Sequence, residues 1–335
     1  MKRVFAAALF LVLLFFLLPT ILVGDTPPAS ALPDATPPAA SSPSPSDGAA
    51  SLDQQVSIRL QKEDGTVETI SMDKYLLGVV AAEMPAAFEV EALKAQAVAA
   101  RTYAYARCTS SSPAHPDADL CTSYACCQAY LTDAEQQANW GENTASYQKK
   151  IADAVTSTDG QVILYDNEPI RAVFFSSASG RTNDAMEVWG SEVPYLTGVE
   201  TPEGNEVPNF QTTVTFSPSE FQTTFLAQYP EADLSGAPSA WFGAPEYASS
   251  GCVAAIPIGG VRVTGPDLRT LLGLRSARFS VSAADSAITF TVTGYGHGVG
   301  MSQYGANAMA KSGSTYREIL THYYTGVSIA PYPDL

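Results

Sequence analysis

The chain has 335 residues, 46% of them hydrophobic, with 18 Lys plus Arg against 34 Asp plus Glu and a formal net charge of −16. That length gives one large domain or two small ones a real core. The acidity excludes nucleic acid and anionic lipid as charge-driven partners, because both need a basic surface; it permits a neutral or zwitterionic glycan and serves solubility.

Residues 1–24, MKRVFAAALFLVLLFFLLPTILVG, read as a membrane anchor. Lys2 and Arg3 precede an uncharged run long enough to span a bilayer, and the positive-inside rule leaves everything after Gly24 outside. A cleaved signal peptide is the alternative, with Ala29-Ser30-Ala31 as its cleavage site. Residues 25–52, dense in Pro, Ala, Ser and Asp, read as a disordered tether, and the folded domain spans 53–335.

Within that domain, VSIRL (56–60) and Thr66–Ile70 predict a β-hairpin turning at Asp64-Gly65. The stretch 74–107, KYLLGVVAAEMPAAFEVEALKAQAVAARTYAYAR, follows. From Tyr75 to Ala82 it is apolar and helix-compatible, and Pro85 disfavours the α conformation at Met84, so the helix ends near Glu83. A second helix is predicted over 89–107, on which Lys94 and Arg101, two turns apart, share a face. A carboxyl stranded among apolar side chains has a raised pKa and can donate a proton near neutral pH. The plainer alternative is a surface Glu at a helix end with two solvated cations. A helix over 145–156, strands over 161–166 and 170–177, and a capping box from Ser217 to Glu220 opening a helix to about Gln228 come next. Segment 231–258, rich in Gly, Pro, Ala and Ser, reads as a loop insertion. Strands at 259–264, 277–283 and 287–293 follow, with a short helix near 266–273. Helices at 302–312 and 315–324 close the chain, the latter capped by Thr315 and Glu318. Mixed order without a βαβα rhythm predicts an α+β fold.

The cysteines are Cys108, Cys121, Cys126, Cys127 and Cys252. His115, Cys121, Cys126 and Cys127 crowd soft ligands into one loop, which suits tetrahedral zinc, although adjacent Cys126 and Cys127 do not easily reach one ion. A Cys121–Cys127 or Cys108–Cys126 disulfide, or free thiols, are the alternatives. FFSSASGRT (174–182) is a strand running into a Ser/Gly loop where Ser177 and Ser179 can hold sugar hydroxyls; it is equally a plain turn. GYGHGVGMSQYGA (294–306) places His297 in a glycine loop ahead of Ser302, Gln303 and Tyr304, and lacks the Lys-Ser/Thr ending of a phosphate loop.

Two of these stretches, GVVAAEMPAAFEVEALKAQAVAARTYA and GYGHGVGMSQYGANAMA (294–310), resemble the signatures of the stage II sporulation protein D family, peptidoglycan lytic transglycosylases of engulfment. The resemblance covers roughly residues 55–330. It implies mixed sheets and packed helices around a glycan-binding cleft, with Glu83 as catalytic acid. Lys94, Arg101, Ser177, Ser179, Tyr195, His297, Ser302, Gln303 and Tyr304 are then the substrate contacts. His115, Cys121 and Cys127 match positions that hold zinc in relatives, as a structural clip, and Cys126 stands where a second His is usual. Two departures stand out: Ser176 replaces the His of the family's HSTSGG, and Thr197 in VPYLTGVE replaces the Lys of PYLKSVE. The resemblance further implies a single-pass protein of the cell membrane with its domain on the extracytoplasmic side. Its substrate would be denuded glycan strands, and its partners a companion sporulation amidase and a membrane protein of the engulfment complex.

A lone acid suits that chemistry. Ordinary glycosidases need two carboxylates, whereas here the C6 hydroxyl of N-acetylmuramic acid is an internal nucleophile that gives a 1,6-anhydro product. Two other functions are open: a non-catalytic glycan-binding module resembling the amidase-enhancer branch, and a zinc hydrolase, for which no HExxH is present.

Overall fold

The structure, a computed structural model, describes residues 51–109 and 115–333. The 1–24 segment predicted as an anchor lies outside them, as does most of the 25–52 tether. Among the described residues, no helix is long and apolar enough to cross a membrane. Ser51 and Leu52, assigned to the tether by sequence, belong to the fold: Ser51 Oγ donates to Asp159 at 2.5 Å, and Leu52 fills the space a Cβ on Gly160 would need.

The architecture is α+β, built from several small sheets. A turn of helix, α1 (Leu52–Gln55), leads into the predicted hairpin of β1 (Ser57–Gln61) and β2 (Val67–Ser71). Gly65 takes φ +83° at its tip, a conformation strained for any side chain, and Asp64 Oδ1 accepts from the Thr66 N–H. Then come α2 (Met72–Glu83), α3 (Val90–Thr109), β3 (Leu120–Cys121), α4 (Asp133–Trp140) and α5 (Thr144–Thr156). Next are β4 (Gln161–Tyr165), β5 (Glu168–Pro169), β6 (Phe174–Phe175) and α6 (Ala185–Trp189). The segment predicted as one strand over 170–177 is not continuous: it pairs at β6 and through a single bridge from Ser177 to Tyr295, because Ala172 and Val173 donate back to Ile170 and Arg171 and bend the chain.

A second layer follows: β7 (Gln211–Phe216), α7 (Pro218–Gln228), β8 (Glu246–Tyr247), β9 (Val253–Ile258), β10 (Val261–Thr264), α8 (Gly265–Leu272), β11 (Phe279–Ala284) and β12 (Ala287–Thr293). Here the loop insertion expected over 231–258 is wrong. Its last six residues are a central strand whose Val253, Ile256 and Ile258 are buried beside Phe221, Phe225, Trp241 and Phe290. Gly259 and Gly260, expected to open a strand, instead turn β9 into β10 at φ +56° and +82°. The chain ends with β13 (Met301–Ser302), α9 (Gln303–Lys311), α10 (Tyr316–Tyr323) and β14 (Ser328–Pro331). β13 runs parallel to β6, and β14 pairs with β4. Both capping boxes form, at Ser217–Glu220 and Thr315–Glu318.

The first core is organised around α3. Ala92, Ala95, Ala97, Ala99, Ala100 and Ala104 are buried on its several faces, and methyl side chains let α2, α5, α9, α10 and β4 all lie against it. A helix buried all round carries no amphipathic stripe, which is why its sequence is uniformly small rather than periodic.

Arg101 lies inside this core, not on a displayed face. It is 0% exposed, and its guanidinium donates to Asp53 (2.7 and 2.8 Å), Thr158 and the carbonyls of Val155 and Gln161. Asp53 also accepts from the Gly160 N–H and the Tyr332 hydroxyl. One ion pair thus ties the first turn of the fold to α3, to the α5–β4 connection and to the C-terminal segment. Removing one partner strands the other charge in the core, at a cost of about 3–5 kcal/mol. We expect Asp53→Ala and Arg101→Ala each to lose stability of that order in urea denaturation. Full stability in either variant would contradict the assignment.

Candidate functional site

Glu83 is the last residue of α2; Met84 is extended ahead of Pro85, as the sequence predicts. The C-terminal end of a helix disfavours negative charge, and burial raises the Glu83 carboxyl above its ordinary range. Two interactions offset part of that shift: the Ala129 N–H, 2.8 Å from Oε1, and the Gln303 side chain. The outcome is a half-buried carboxyl that holds its proton to higher pH than a solvated one.

The two signature stretches meet at this residue. Gln303 Nε2 donates to the Glu83 carbonyl at 2.8 Å and reaches Gln96 Oε1 at 3.4 Å. The Tyr304 ring meets Phe88 edge-on at 4.9 Å. Asn307 Oδ1 accepts from the Glu89 N–H at 2.8 Å. The turn from 84 to 89 is therefore fastened to α9 at successive points. Gln96, which sequence reasoning passed over, is the one polar residue in the run 95–100 and is wholly buried behind Gln303.

The other side of Glu83 is braced by the chain after the cysteines. The Tyr75 hydroxyl donates to Gln128 Oε1 at 3.0 Å, and the Leu131 N–H donates to the Gly78 carbonyl at 3.0 Å. A Cβ on Gly78 would lie 2.2 Å from the Tyr130 ring, so only glycine lets this segment sit down on α2. His115, Cys121, Cys126 and Cys127 precede it, their ligand atoms all within 4.8 Å of one another. His115 Nε2 is 3.2 Å from Cys126 Sγ and 3.4 Å from Cys127 Sγ, and the two sulfurs are 4.0 Å apart. Ligand atoms around a tetrahedral ion with bonds of about 2.0–2.3 Å stand about 3.5–3.8 Å apart, so this set can hold a metal ion. The expectation that adjacent Cys126 and Cys127 do not easily reach one ion fails: a tight turn at Ser123, whose carbonyl accepts from both Cys126 and Cys127 N–H, turns both thiols inward. All five cysteines are free thiols, so neither of the alternative disulfides, Cys121–Cys127 or Cys108–Cys126, is present.

The remaining predicted residues divide. Ser302 is buried, caps α9 by accepting from the Gly305 N–H at 3.2 Å, and donates to Glu203 in a short hydrogen bond. Glu203 also accepts from the Ala178 N–H at 2.7 Å and from Thr201. This buried carboxylate, outside any motif recognised in the sequence, fixes the 177–179 loop to the start of α9. Ser177 is buried and exchanges both backbone hydrogen bonds with Tyr295, while Ser179 lines the small cavity beside them. His297 keeps no ring nitrogen for a ligand: Nε2 meets the Phe174 carbonyl and Nδ1 accepts from the Val299 N–H, both at 3.1 Å. Burial first, then the charges of Arg269 and Arg171, push its pKa down to about 4, so it is a neutral brace near pH 7. Lys94 pairs with Glu91 at 2.7 Å near the start of α3. Tyr195 packs on Tyr165 and its hydroxyl accepts from the Arg171 N–H, while Thr197 bonds Thr325. None of these contacts joins Tyr195 or Arg101 to Glu83.

Comparison with known proteins identifies the family of this chain. The family described as Stage II sporulation protein (SpoIID) matches residues 61–165, the segment holding Glu83 and the His/Cys cluster. Stage II sporulation protein D of Bacillus amyloliquefaciens and that of Bacillus subtilis are each 40% identical over 266 residues, covering 79% of this chain and 76% of theirs. The amidase enhancer of Bacillus subtilis is 30% identical over 314 residues, 77% of this chain and 40% of that protein. The chain belongs to the stage II sporulation protein D family and is related to the amidase enhancer.

The cluster generates a direct test. Cobalt(II) added to the metal-free full-length protein should give thiolate charge-transfer absorption that His115→Ala and Cys121→Ser abolish. Chelation should lower the thermal midpoint, because the loop it loosens braces α2. An unchanged spectrum and midpoint would remove the metal site.

Proposed function

We propose that this protein is a lytic transglycosylase that cleaves the N-acetylmuramic acid–N-acetylglucosamine bond of denuded peptidoglycan strands, leaving 1,6-anhydro-muramyl ends, during engulfment. One observation carries the reading: a single half-buried carboxyl with a raised pKa, Glu83, stands where both signature stretches converge. Protonated Glu83 donates to the glycosidic oxygen as the bond breaks. The resulting carboxylate then takes the proton from the C6 hydroxyl, whose oxygen closes the anhydro ring on C1. No second carboxylate and no water are consumed, and the intramolecular attack carries a large proximity advantage. The Ala129 N–H and Gln303 stabilise the carboxylate in the interval between the steps.

The same reading assigns zinc to His115, Cys121, Cys126 and Cys127, a donor set that fits it, as a structural clip that would hold 128–131 against α2. It places residues 1–24 as a membrane anchor, 25–52 as a tether and the domain from 53 onward on the extracytoplasmic side. A companion amidase that strips stem peptides and a membrane protein of the engulfment complex would be its partners. The related amidase enhancer supports a second reading, in which the domain holds glycan without cutting it.

Both are tested with full-length protein, wild type and Glu83→Gln, on peptide-free glycan strands analysed by mass spectrometry. Wild type should yield anhydro ends, and the variant should be slower by about 10²–10⁴. Because Glu83 works protonated and its pKa is raised, activity should fall as pH rises through a value above 4.5. Folding stability should fall over the same window, since the folded state binds this proton more tightly than the unfolded chain, and Glu83→Gln should remove that slope. Reducing ends in place of anhydro ends would mean hydrolysis. Glycan binding without cleavage by wild type would select the second reading.

A further inference from the structure

We propose that Gln96 is a positioning residue for the general acid: it orients the Gln303 amide so that its N–H groups face Glu83, an inference that rests on the transglycosylase reading of that residue. Gln303 Nε2 lies 2.8 Å from the Glu83 carbonyl and 3.4 Å from Gln96 Oε1, and the same side chain stabilises the Glu83 carboxylate. The backbone of Gln303 is already fixed. Ser302 caps α9 by accepting from the Gly305 N–H, and the Tyr304 N–H donates to the Ser176 carbonyl. That does not fix the amide, since rotatable bonds separate it from the backbone and ordering them costs entropy. An amide held by one acceptor still swings about that hydrogen bond. A second acceptor on the same nitrogen holds it in place.

Gln96 supplies the second acceptor from α3. It is 0% exposed among the alanines and valine of 95–100, and its own Nε2 is buried with no hydrogen-bond acceptor among the described residues. An orphaned buried donor is destabilising and calls for a reason. Packing gives none, because an apolar side chain of the same length would remove the penalty. Reversing the Gln96 amide would set its Nε2 against Gln303 Nε2, donor against donor. Relieving that clash would require Gln303 to reverse as well, which would turn its oxygen toward the Glu83 carbonyl and carboxylate. The orphaned nitrogen is what remains when both amides are arranged to favour the ionised acid.

The consequence is read on Glu83. Gln303 stabilises the ionised form, so slackening its amide raises the Glu83 midpoint further. The groups packed around the carboxyl bring no competing charge to that range. The 128–131 segment presents the Ala129 N–H, α9 and α3 present uncharged amides, and on α2 the titratable neighbour is buried Tyr75, which ionises well above its ordinary value. Loss of packing would act the other way, because water reaching Glu83 lowers the midpoint toward that of a solvated glutamate. The opposite signs separate positioning from mere structural support.

The test compares full-length wild type, Gln96→Met, Gln303→Leu and the double variant. Each is followed by carbon-13 titration of the Glu83 carboxyl and by the pH profile of anhydro-end formation. Gln96→Met keeps the side-chain length and drops the acceptor. It should raise the midpoint and carry the alkaline limb of activity to higher pH. Below that limb the rate should fall about tenfold, the effect of one hydrogen bond to a charged group. Its thermal midpoint should hold or rise, because the orphaned donor is gone. In the Gln303→Leu background the same substitution should change neither the Glu83 midpoint nor the rate, since the amide it steers is absent. A midpoint that stays or falls in Gln96→Met, a lost fold, or effects that add in the double variant overturns the proposal. The titration needs no substrate, so it decides the role of Gln96 by itself. Absence of anhydro ends from wild type would overturn the transglycosylase reading alone.

Discussion

The hydrogen bond from Gln303 Nε2 to the Glu83 carbonyl joins residues 220 apart in the chain, and the site depends on it. It seats the start of α9 against the end of α2, so that the acid, the turn 84–89 and the glycine loop share one frame. The Asn307 and Tyr304 contacts repeat the fastening along that turn. From the opposite side the Ala129 N–H fixes the carboxyl itself. A general acid needs both burial, to keep its proton, and a donor, to accept the charge once the proton has left. Glu83 has the two from different parts of the sequence.

Each brace has a reason to be stiff. Behind Gln303 lies α3, whose alanines let its neighbours approach closely, and the Arg101–Asp53 pair locks that helix to both ends of the fold. Behind Ala129 lies the His/Cys cluster, placed to tighten the loop that donates to the acid. Beneath the 177–179 loop, Glu203 gathers donors from Ala178, Thr201 and Ser302, the last of them the N-cap of α9. Gly305 carries no Cβ because one there would lie 2.5 Å from Glu203 and 2.1 Å from the Tyr323 hydroxyl. The glycines of these stretches mark where elements approach each other, at least as much as where a ligand would approach them.

Much of this was legible in the sequence, where a local rule governs. Pro85 ended α2 at Glu83, Asp64-Gly65 made the hairpin, and Ser217 and Thr315 made capping boxes. What was missed depends on partners far along the chain. Arg101 looked like a displayed cation because nothing near it in sequence shows that Asp53 would meet it inside the core. Glu203 and Gln96 lacked a motif, since Glu203 meets Ala178 and Ser302 as well as nearby Thr201, and the partner of Gln96 comes from α9. Strand β9 hid in Gly- and Pro-rich flanks, although the burial of VAAIPI is that of a central strand. His297 looked like a ligand until its ring nitrogens were seen to serve the Phe174 and Val299 backbone.

The central claim is that convergence of the two signatures gives Glu83 its proton at a pH where a solvated glutamate has lost it. The most direct measurement is a carbon-13 NMR titration of carboxyl-labelled glutamate in the full-length protein, with the Glu83 resonance identified by its absence in Glu83→Gln. The expected result is a midpoint above 4.5, the ordinary glutamate value, that moves when Gln303 is replaced by Leu. A midpoint at or below that value, indifferent to Gln303, would contradict it.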